Sequence, residues 1–493
     1  MAFLLFGMPL CAQENGDKGK SLLQNLHYQL EGNLTSSNSQ TPLWLNANKH
    51  GLSSLSQNNG YLCAGIMRPI ETDSTRHWKT GYGLDVALAY NHTSSFIIQQ
   101  LYVDIQYKKV RISIGSKERP MEFKNNILSS GSQTFGINAR PIPQICIELP
   151  EYISLDRGHW IGIKGHFGYG IMTDGSWQKD YSKPHYIKHA LYHSKAGYLR
   201  IGNENKFPLV FEGGLEMACQ FGGNFYSLQS DGHYAKEALP QGFSSFFKAI
   251  YGGGSDPGEG IYANAGGNTV GSWLASITYH FPTWKLRAYY DHYFEDHSQM
   301  FLEYGLWKDG LWGLEVTFPK NKVISSLVAE FLSTKDQSGP IYHDHTPEIS
   351  DQISARDDYY NHYLYNGWQH WGQAIGNPLY TSPLYRNDHT LEFTGNRFKS
   401  YHIGLSGNPT GVINYRLLYS YQENWGTYLH PFANKRYNNS LLAEITYSPT
   451  HLPWNIKSKG WSITAAYGMD HGHLVGNHQG MQITLRKTGV LNH

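Results

Sequence analysis

Residues Gly81–Tyr90, GYGLDVALAY, alternate without a break: Tyr82, Leu84, Val86, Leu88 and Tyr90 are apolar or aromatic, while Gly81, Gly83, Asp85, Ala87 and Ala89 are small or acidic. Successive side chains of a β-strand point to opposite faces. One face is therefore apolar with an aromatic at each end, and the other is small and polar. A stretch of about 10 residues with that pattern suits a strand crossing a bilayer, with hydrocarbon outside and a wet or plugged lumen inside.

The pattern recurs along the chain. Phe211, Leu215, Met217, Cys219 and Phe221 alternate with Glu212, Gly214, Glu216, Ala218 and Gln220. Trp273, Ala275, Ile277, Tyr279 and Phe281 oppose Leu274, Ser276, Thr278 and His280, and Trp312, Leu314, Val316 and Phe318 interleave with Gly313, Glu315 and Thr317. Ile413 to Tyr421, Trp461 to Tyr467 and Met481 to Leu485 read the same way, and further candidates include 97–107, 160–171, 285–293 and 391–395. The fold class expected is all-β: a closed antiparallel transmembrane barrel of about 16 to 18 strands, closed because an open edge in lipid leaves backbone groups unpaired. A soluble sandwich or propeller also alternates, but its strands seldom carry aromatics at both ends of the apolar face.

Composition narrows the classes. The 493 residues include 36 Tyr, 13 Trp and 52 Gly, and only 16% are charged. A mean hydropathy of −0.48 excludes a bundle of apolar helices, and no run of about 18 apolar residues is present. The formal net charge of +1 gives no broad field of either sign, so nucleic acid is a poor partner. Cys11, Cys63, Cys146 and Cys219 are widely spaced and imply neither a disulfide framework nor a zinc site.

The segment MAFLLFGMPLCA, 1–12, reads as a signal peptide lacking its basic n-region. Residues 13–58 alternate poorly and are expected to form an N-terminal periplasmic or plug segment, with the barrel occupying 59–493. Within the segment, Thr41 and Pro42 read as the N-cap and first position of a short helix ending at Gly51. An ordinary connecting loop is the alternative.

Two insertions, 222–268 and 334–390, break the strand rhythm and are expected to be long outer or lumen-folded loops. The first carries Phe243, Phe246, Phe247 and Tyr251 before the glycine-rich Gly252–Gly260. The second sets Tyr359, Tyr360, Tyr365, Trp368 and Trp371 among Asp357, Asp358, Asn361 and His362. Flat aromatic faces beside hydrogen-bonding groups suit a sugar, which is apolar on its C–H faces and polar at its hydroxyls. These nine residues are the candidate glycan-binding set. The same residues can instead fill the barrel mouth and close the pore.

Three stretches carry a family resemblance: Asn33–Leu52 (NLTSSNSQTPLWLNANKHGL), Ile114–Gln144 (IGSKERPMEFKNNILSSGSQTFGINARPIPQ) and Asp357–Leu379 (DDYYNHYLYNGWQHWGQAIGNPL). Through them the chain resembles the Wzi-type capsule-assembly proteins, particularly their Bacteroidota branch. The resemblance implies an eighteen-stranded outer-membrane barrel with an N-terminal plug, a surface lectin that binds and helps retain or assemble capsular or exopolysaccharide. It also marks Lys117, Glu118, Arg119, Asn138, Arg140, Gly367, Gly372 and Gly376 as a lumen or structural motif. The expected location is the outer membrane of a Gram-negative bacterium, and the expected partners are polysaccharide and outer-membrane lipid, with the protein acting as a monomer.

Catalysis and metal binding find no specific support. His343, Asp344, His345, Asp351 and Asp357 offer metal-ligand types in a polar loop, where such residues are usually solvated. No G-x-S-x-G nucleophile motif stands out. The expectation is a protein without enzymatic activity, metal or cofactor. The rival is a porin or solute channel. Mixed lumen charges, Asp85, Glu212, Glu216, Glu315, Glu330 and Glu444 against Lys164, Arg287, Arg416 and Arg486, favour ion pairs that fill the interior over selective conduction.

Overall fold

The computed structural model describes residues 22–73, 75–251, 267–295, 308–319, 321–343, 352–449 and 459–491. Its main sheet has 18 strands. In chain order the first nine are Leu26–Ser37, Asn58–Arg68, Trp78–Tyr90, Phe96–Tyr107, Val110–Ser116, Gln144–Ser154, Ile161–Ile171, Leu191–Ile201 and Leu209–Phe221. The second nine are Asn268–His280, Lys285–Glu295, Gly310–Thr317, Ser326–Ser333, Phe398–Gly407, Ile413–Gly426, Pro431–Tyr447, Trp461–Gly472 and His478–Leu491. Each pairs antiparallel with its neighbour in sequence, and the last returns to the first in the register Leu26↔Leu491 to Ser37↔Gly480. The ring is closed and has no free edge.

The alternation places the side chains as read. Leu84, Ile277 and Leu417 point outward and are 36%, 39% and 39% exposed. Between them Asp85 takes a hydrogen bond from Gln100 (2.6 Å), and Arg416 pairs with Glu444 (2.9 Å). Outward aromatics gather near both ends of the wall. Trp78, Tyr107, Tyr279 and Tyr447 mark the end where the chain enters, and Tyr90, Phe96, Trp312 and Tyr401 mark the opposite one. The inner wall explains more of the tyrosine and glycine. Tyr102, Tyr198 and Tyr289 each lie across an inward glycine of the next strand, Gly83, Gly214 and Gly313, where a Cβ would collide with the ring. A large ring filling a cross-strand glycine gap stabilises such a pair.

Three expectations are corrected. The wall begins at Leu26, inside the segment 13–58 that was expected to be a plug. Its outward face carries Leu30 and Leu34, but also Gly32 and Ser36, so the alternation is too weak to read. The helix expected from Thr41 to Gly51 is a single turn, Leu43–Asn46, with Pro42 as its N-cap. Thr41 does not cap it, because its hydroxyl donates to the Ser56 carbonyl (2.9 Å). Residues 391–395 form no strand, and Leu391 and Phe393 are buried in the interior instead. The segment 1–12 lies outside the described residues.

Connections at the entry end are short, as at 108–109 and 281–284, whereas 38–57, 117–143, 172–190, 222–267 and 334–397 all leave from the other end. All five of these long connections contribute side chains to a core at and within the lumen. Trp44, Leu128, Ile187, Tyr360, Trp368, Tyr380 and Phe393 meet there in one buried core with the wall residues Tyr192, Tyr289 and Leu442. The plug is thus built from loops of the long-loop end: part of it comes from the expected 13–58 segment, and 334–390 takes the lumen-folded alternative.

Candidate functional site

The plug hangs from acidic wall residues. Asp291, fully buried, holds Lys124 at 2.8 Å and accepts from the Gln133 amide at 3.1 Å. Glu330 accepts from the Ser129 hydroxyl (2.5 Å), the Ser130 amide (2.7 Å) and the Tyr289 hydroxyl. Buried charge is costly unless paired and hydrogen-bonded, and here every oxygen of the two carboxylates is used. The stretch 124–134 is fixed in the lumen by that demand. The expected lumen ion pairs are present, with Arg287–Glu315 at 3.5 Å and Lys164–Glu122 at 2.5 Å.

The two motif stretches meet on this framework. The Tyr360 hydroxyl donates to the Gln133 carbonyl and accepts from the Asn377 amide, and its ring stacks on Tyr380 at 3.7 Å. Trp368 donates its indole N–H to the Thr134 carbonyl (3.1 Å). The Asn138 side chain joins the Asn48 amide to the Ala374 carbonyl, each at 3.0 Å. A Cβ on Gly376 would overlap the Tyr360 hydroxyl and the Gln133 carbonyl, and one on Gly367, at φ 74°, would overlap the Tyr360 carbonyl. Gly372 similarly admits Leu384 and Trp177.

This places the candidate glycan residues. Tyr360 and Trp368 are 0% exposed and Tyr359 and Tyr365 are 1% exposed, so none of the four presents a face to a ligand from solution. Asn361 bonds the Phe393 backbone both ways at 2.8 Å, and Asp358 accepts from Asn361 and Asn396. Burial raises the Asp358 carboxyl above its usual range. Asp357 and His362 are half-buried beside them. Eight of the nine residues therefore build or flank the plug, because a buried aromatic with a polar edge needs the same neighbours that a sugar site supplies.

Trp371 is the exception. It is half-buried at the long-loop end, with its indole N–H on the Thr173 hydroxyl (3.2 Å), its ring 6.1 Å from Trp177, and the Arg140 guanidinium 4.4 Å from its centroid. Trp177 stacks on Tyr181 at 4.9 Å, and Tyr181 meets His389 at 5.0 Å. Arg140 is 7% exposed and donates to the Thr93 hydroxyl (2.7 Å). Burial lowers its pKa to about 10, with Asp174 opposing the shift. Among the described residues no carboxylate forms an ion pair with it. Tyr360 (φ 69°) and Trp371 (φ 56°) both hold left-handed backbone, which costs an L-residue roughly 1 to 2 kcal/mol. The Asp174 carboxylate binds the Trp371 amide at 3.1 Å and helps hold it there.

Trp177, Tyr181, Thr173 and Asp174 were missed in the sequence. The available signal was the turn-and-helix start Thr173-Asp174-Gly175 between two strands, with two aromatics a helical turn apart.

Below this cluster lie two cavities. One of about 400 Å³ is lined by Arg140, Arg119, Lys117, Glu148, Lys164 and Glu216 among others. The other, of about 790 Å³ toward the entry end, is lined by Glu31, Lys49, Tyr61, Asp85, Arg416 and Arg486 among others. His50 and Glu118, 4.0 Å apart, belong to both walls. Lys117 pairs with Asp104 (2.5 Å) and Arg119 with Glu148. Among the described residues no group of three or more His, Cys, Asp or Glu is disposed to hold a metal ion. The His343–Asp351 ligand set lies outside the described side chains.

The fold and the filled lumen define an outer-membrane-type β-barrel closed by its own loops. No family model matches the chain, and no curated protein matches it in sequence. Among solved structures it is similar to Wzi of Escherichia coli, described as an outer membrane protein involved in group 1 capsule assembly and a carbohydrate-binding β-barrel. The two share 11% identity over 93% of this chain and 83% of that one, with a TM-score of 0.55. OccK9 of Pseudomonas aeruginosa matches at 10% identity, 95% and 98% coverage and a TM-score of 0.48. OprD of the same bacterium matches at 9%, 95% and 96%, with 0.45. The likeness to Wzi is one of fold.

Proposed function

We propose that this chain resides in the outer membrane of a Gram-negative bacterium with its long loops outside, and that it binds capsular or exopolysaccharide there, helping to retain or assemble it at the cell surface. It acts as a non-catalytic monomer without cofactor. The observation that carries this reading is the half-buried Trp371–Trp177–Tyr181 group with Arg140 against it, standing over a lumen filled by Tyr360, Trp368 and Tyr380. Aromatic faces with a cation and hydroxyls beside them suit a carbohydrate, and the fold likeness to a carbohydrate-binding barrel supports the same ligand class. Deleting the gene and measuring cell-associated against shed polysaccharide tests the reading. More shed polymer is expected, and an unchanged partition contradicts it.

A second reading, a gated solute channel, draws on the two cavities that meet at His50 and Glu118. Planar-bilayer recording separates the two: silence supports the closed binding protein, and steady current supports the channel.

A further inference from the structure

The helix Phe243–Tyr251 lies outside the barrel. Its Phe246 ring is 5.3 Å from Tyr169 and 5.2 Å from Phe221, and the Tyr169 hydroxyl donates to the Phe246 carbonyl (2.7 Å). Ala249 packs with Cys219 and Phe221. In these strands the even positions turn inward: Lys164 reaches Glu122, His166 meets Phe135, and Glu216 accepts from Tyr198. Tyr169, Cys219 and Phe221 therefore face outward, at the long-loop ends of their strands. After Phe221 the chain crosses the rim, and this helix comes to rest on the external surface of the wall. That explains why Cys219 and Phe221, outward by alternation, are nonetheless buried.

The other side of the helix is uncovered. Phe243 is 81% exposed and Phe247 50%, their rings are 5.0 Å apart, and Lys248 is exposed beside them. The strand Ile161–Ile171, which meets the helix through Tyr169, carries an apolar outer band of its own, where Phe167 and Ile171 are also exposed. A helix with one face fixed to protein, phenylalanines on the other and a lysine at the edge fits the boundary between acyl chains and headgroups.

We infer that Phe243–Tyr251 is an interfacial anchor: Phe243 and Phe247 insert among the acyl chains of the outer leaflet, and the Lys248 ammonium sits at the level of the lipid phosphates. The inference rests on the membrane reading of the wall and is independent of the glycan reading. The helix belongs to the same long connection as the strand Asn224–Leu228, whose Phe225 packs into the plug core. The bilayer thereby becomes one of the supports of the long-loop face.

Spin labels at Phe243→Cys and Phe247→Cys, in barrels reconstituted into phospholipid bilayers, test this by collision with oxygen and with a nickel chelate. Leu88→Cys serves as the wall reference and Lys236→Cys as the aqueous one, and the parent chain, with Cys63, Cys146 and Cys219 buried, sets the background. The expected oxygen-to-nickel ratio at both helix sites is several-fold above that at Lys236 and close to that at Leu88. A ratio equal to that at Lys236 overturns the anchor. So does exclusion of both reagents with dipolar broadening that grows with protein density, which marks the face as a self-association surface. If Leu88 itself reports water, the membrane reading fails, and the anchor fails with it.

Discussion

The Arg140 guanidinium lies 4.4 Å from the centre of the Trp371 indole, joining two loops that are distant in sequence. The His370 side chain ties them as well. The Thr173 amide donates to Nε2 of His370 (3.2 Å), so Nδ1 carries the proton and donates to the Arg140 carbonyl (2.9 Å). A cation on an aromatic face contributes about 1 kcal/mol at such a site. The stacking also leaves the guanidinium edge directed at Thr93 and the cavity rather than at an acid. The result is a rigid surface feature whose stiffness comes from the plug beneath it.

Acidification is expected to loosen that surface. Burial holds His370 below the ordinary imidazole value, with Asp174 and the Arg140 carbonyl pulling the other way. Because the folded pKa is the lower one, the unfolded chain takes up the proton first as pH falls. The stabilisation is present above about pH 6.5 and is lost below it. Polysaccharide binding and thermal stability should both decline from pH 7 to pH 5, and His370→Gln should flatten the part of the slope due to this group. An unchanged slope in H370Q assigns the pH response elsewhere.

The Lys124–Asp291 pair makes a stability prediction. Lys124→Met leaves Asp291 buried and charged, and breaking such a pair costs about 3 to 5 kcal/mol. Thermal unfolding in detergent should show a large drop for K124M and a smaller one for K124M combined with Asp291→Leu, because the second change removes the stranded charge. Equal losses in the two variants would mean that the pair does not bear the load assigned to it.

Gly376→Ala probes closure of the lumen. The added methyl collides with the Tyr360 hydroxyl and the Gln133 carbonyl, so the plug has to shift. In bilayers where the parent is silent, G376A should produce intermittent current while the wall stays folded by circular dichroism. Silence in both would place the seal elsewhere in the plug.

The wall was legible wherever the outward face is unbroken, as at Leu84, Ile277 and Leu417, because alternation is a local property of the chain. It was not legible at Leu26–Ser37, where Gly32 and Ser36 interrupt that face and pairing with both neighbours alone defines the strand. The motif residues were legible as a set, but their side of the surface was not. Tyr360 and Trp368 among amides and carboxylates look the same whether the polar groups serve a sugar or a buried hydroxyl and indole N–H, and only the meeting with Gln133 and Thr134 decides it. Trp177 reaches Trp371 through tertiary folding alone, and no local pattern announces such a meeting.

The half-buried Trp371–Trp177 face, and not the buried Tyr360–Trp368 set, is the proposed glycan site. The direct measurement is the affinity of purified native surface polysaccharide for the reconstituted parent and for Trp177→Ala with Trp371→Ala, each shown to be folded by circular dichroism. A loss of roughly tenfold or more, about 1.4 kcal/mol, is predicted in the double variant. Undiminished binding by a folded W177A/W371A barrel would contradict it.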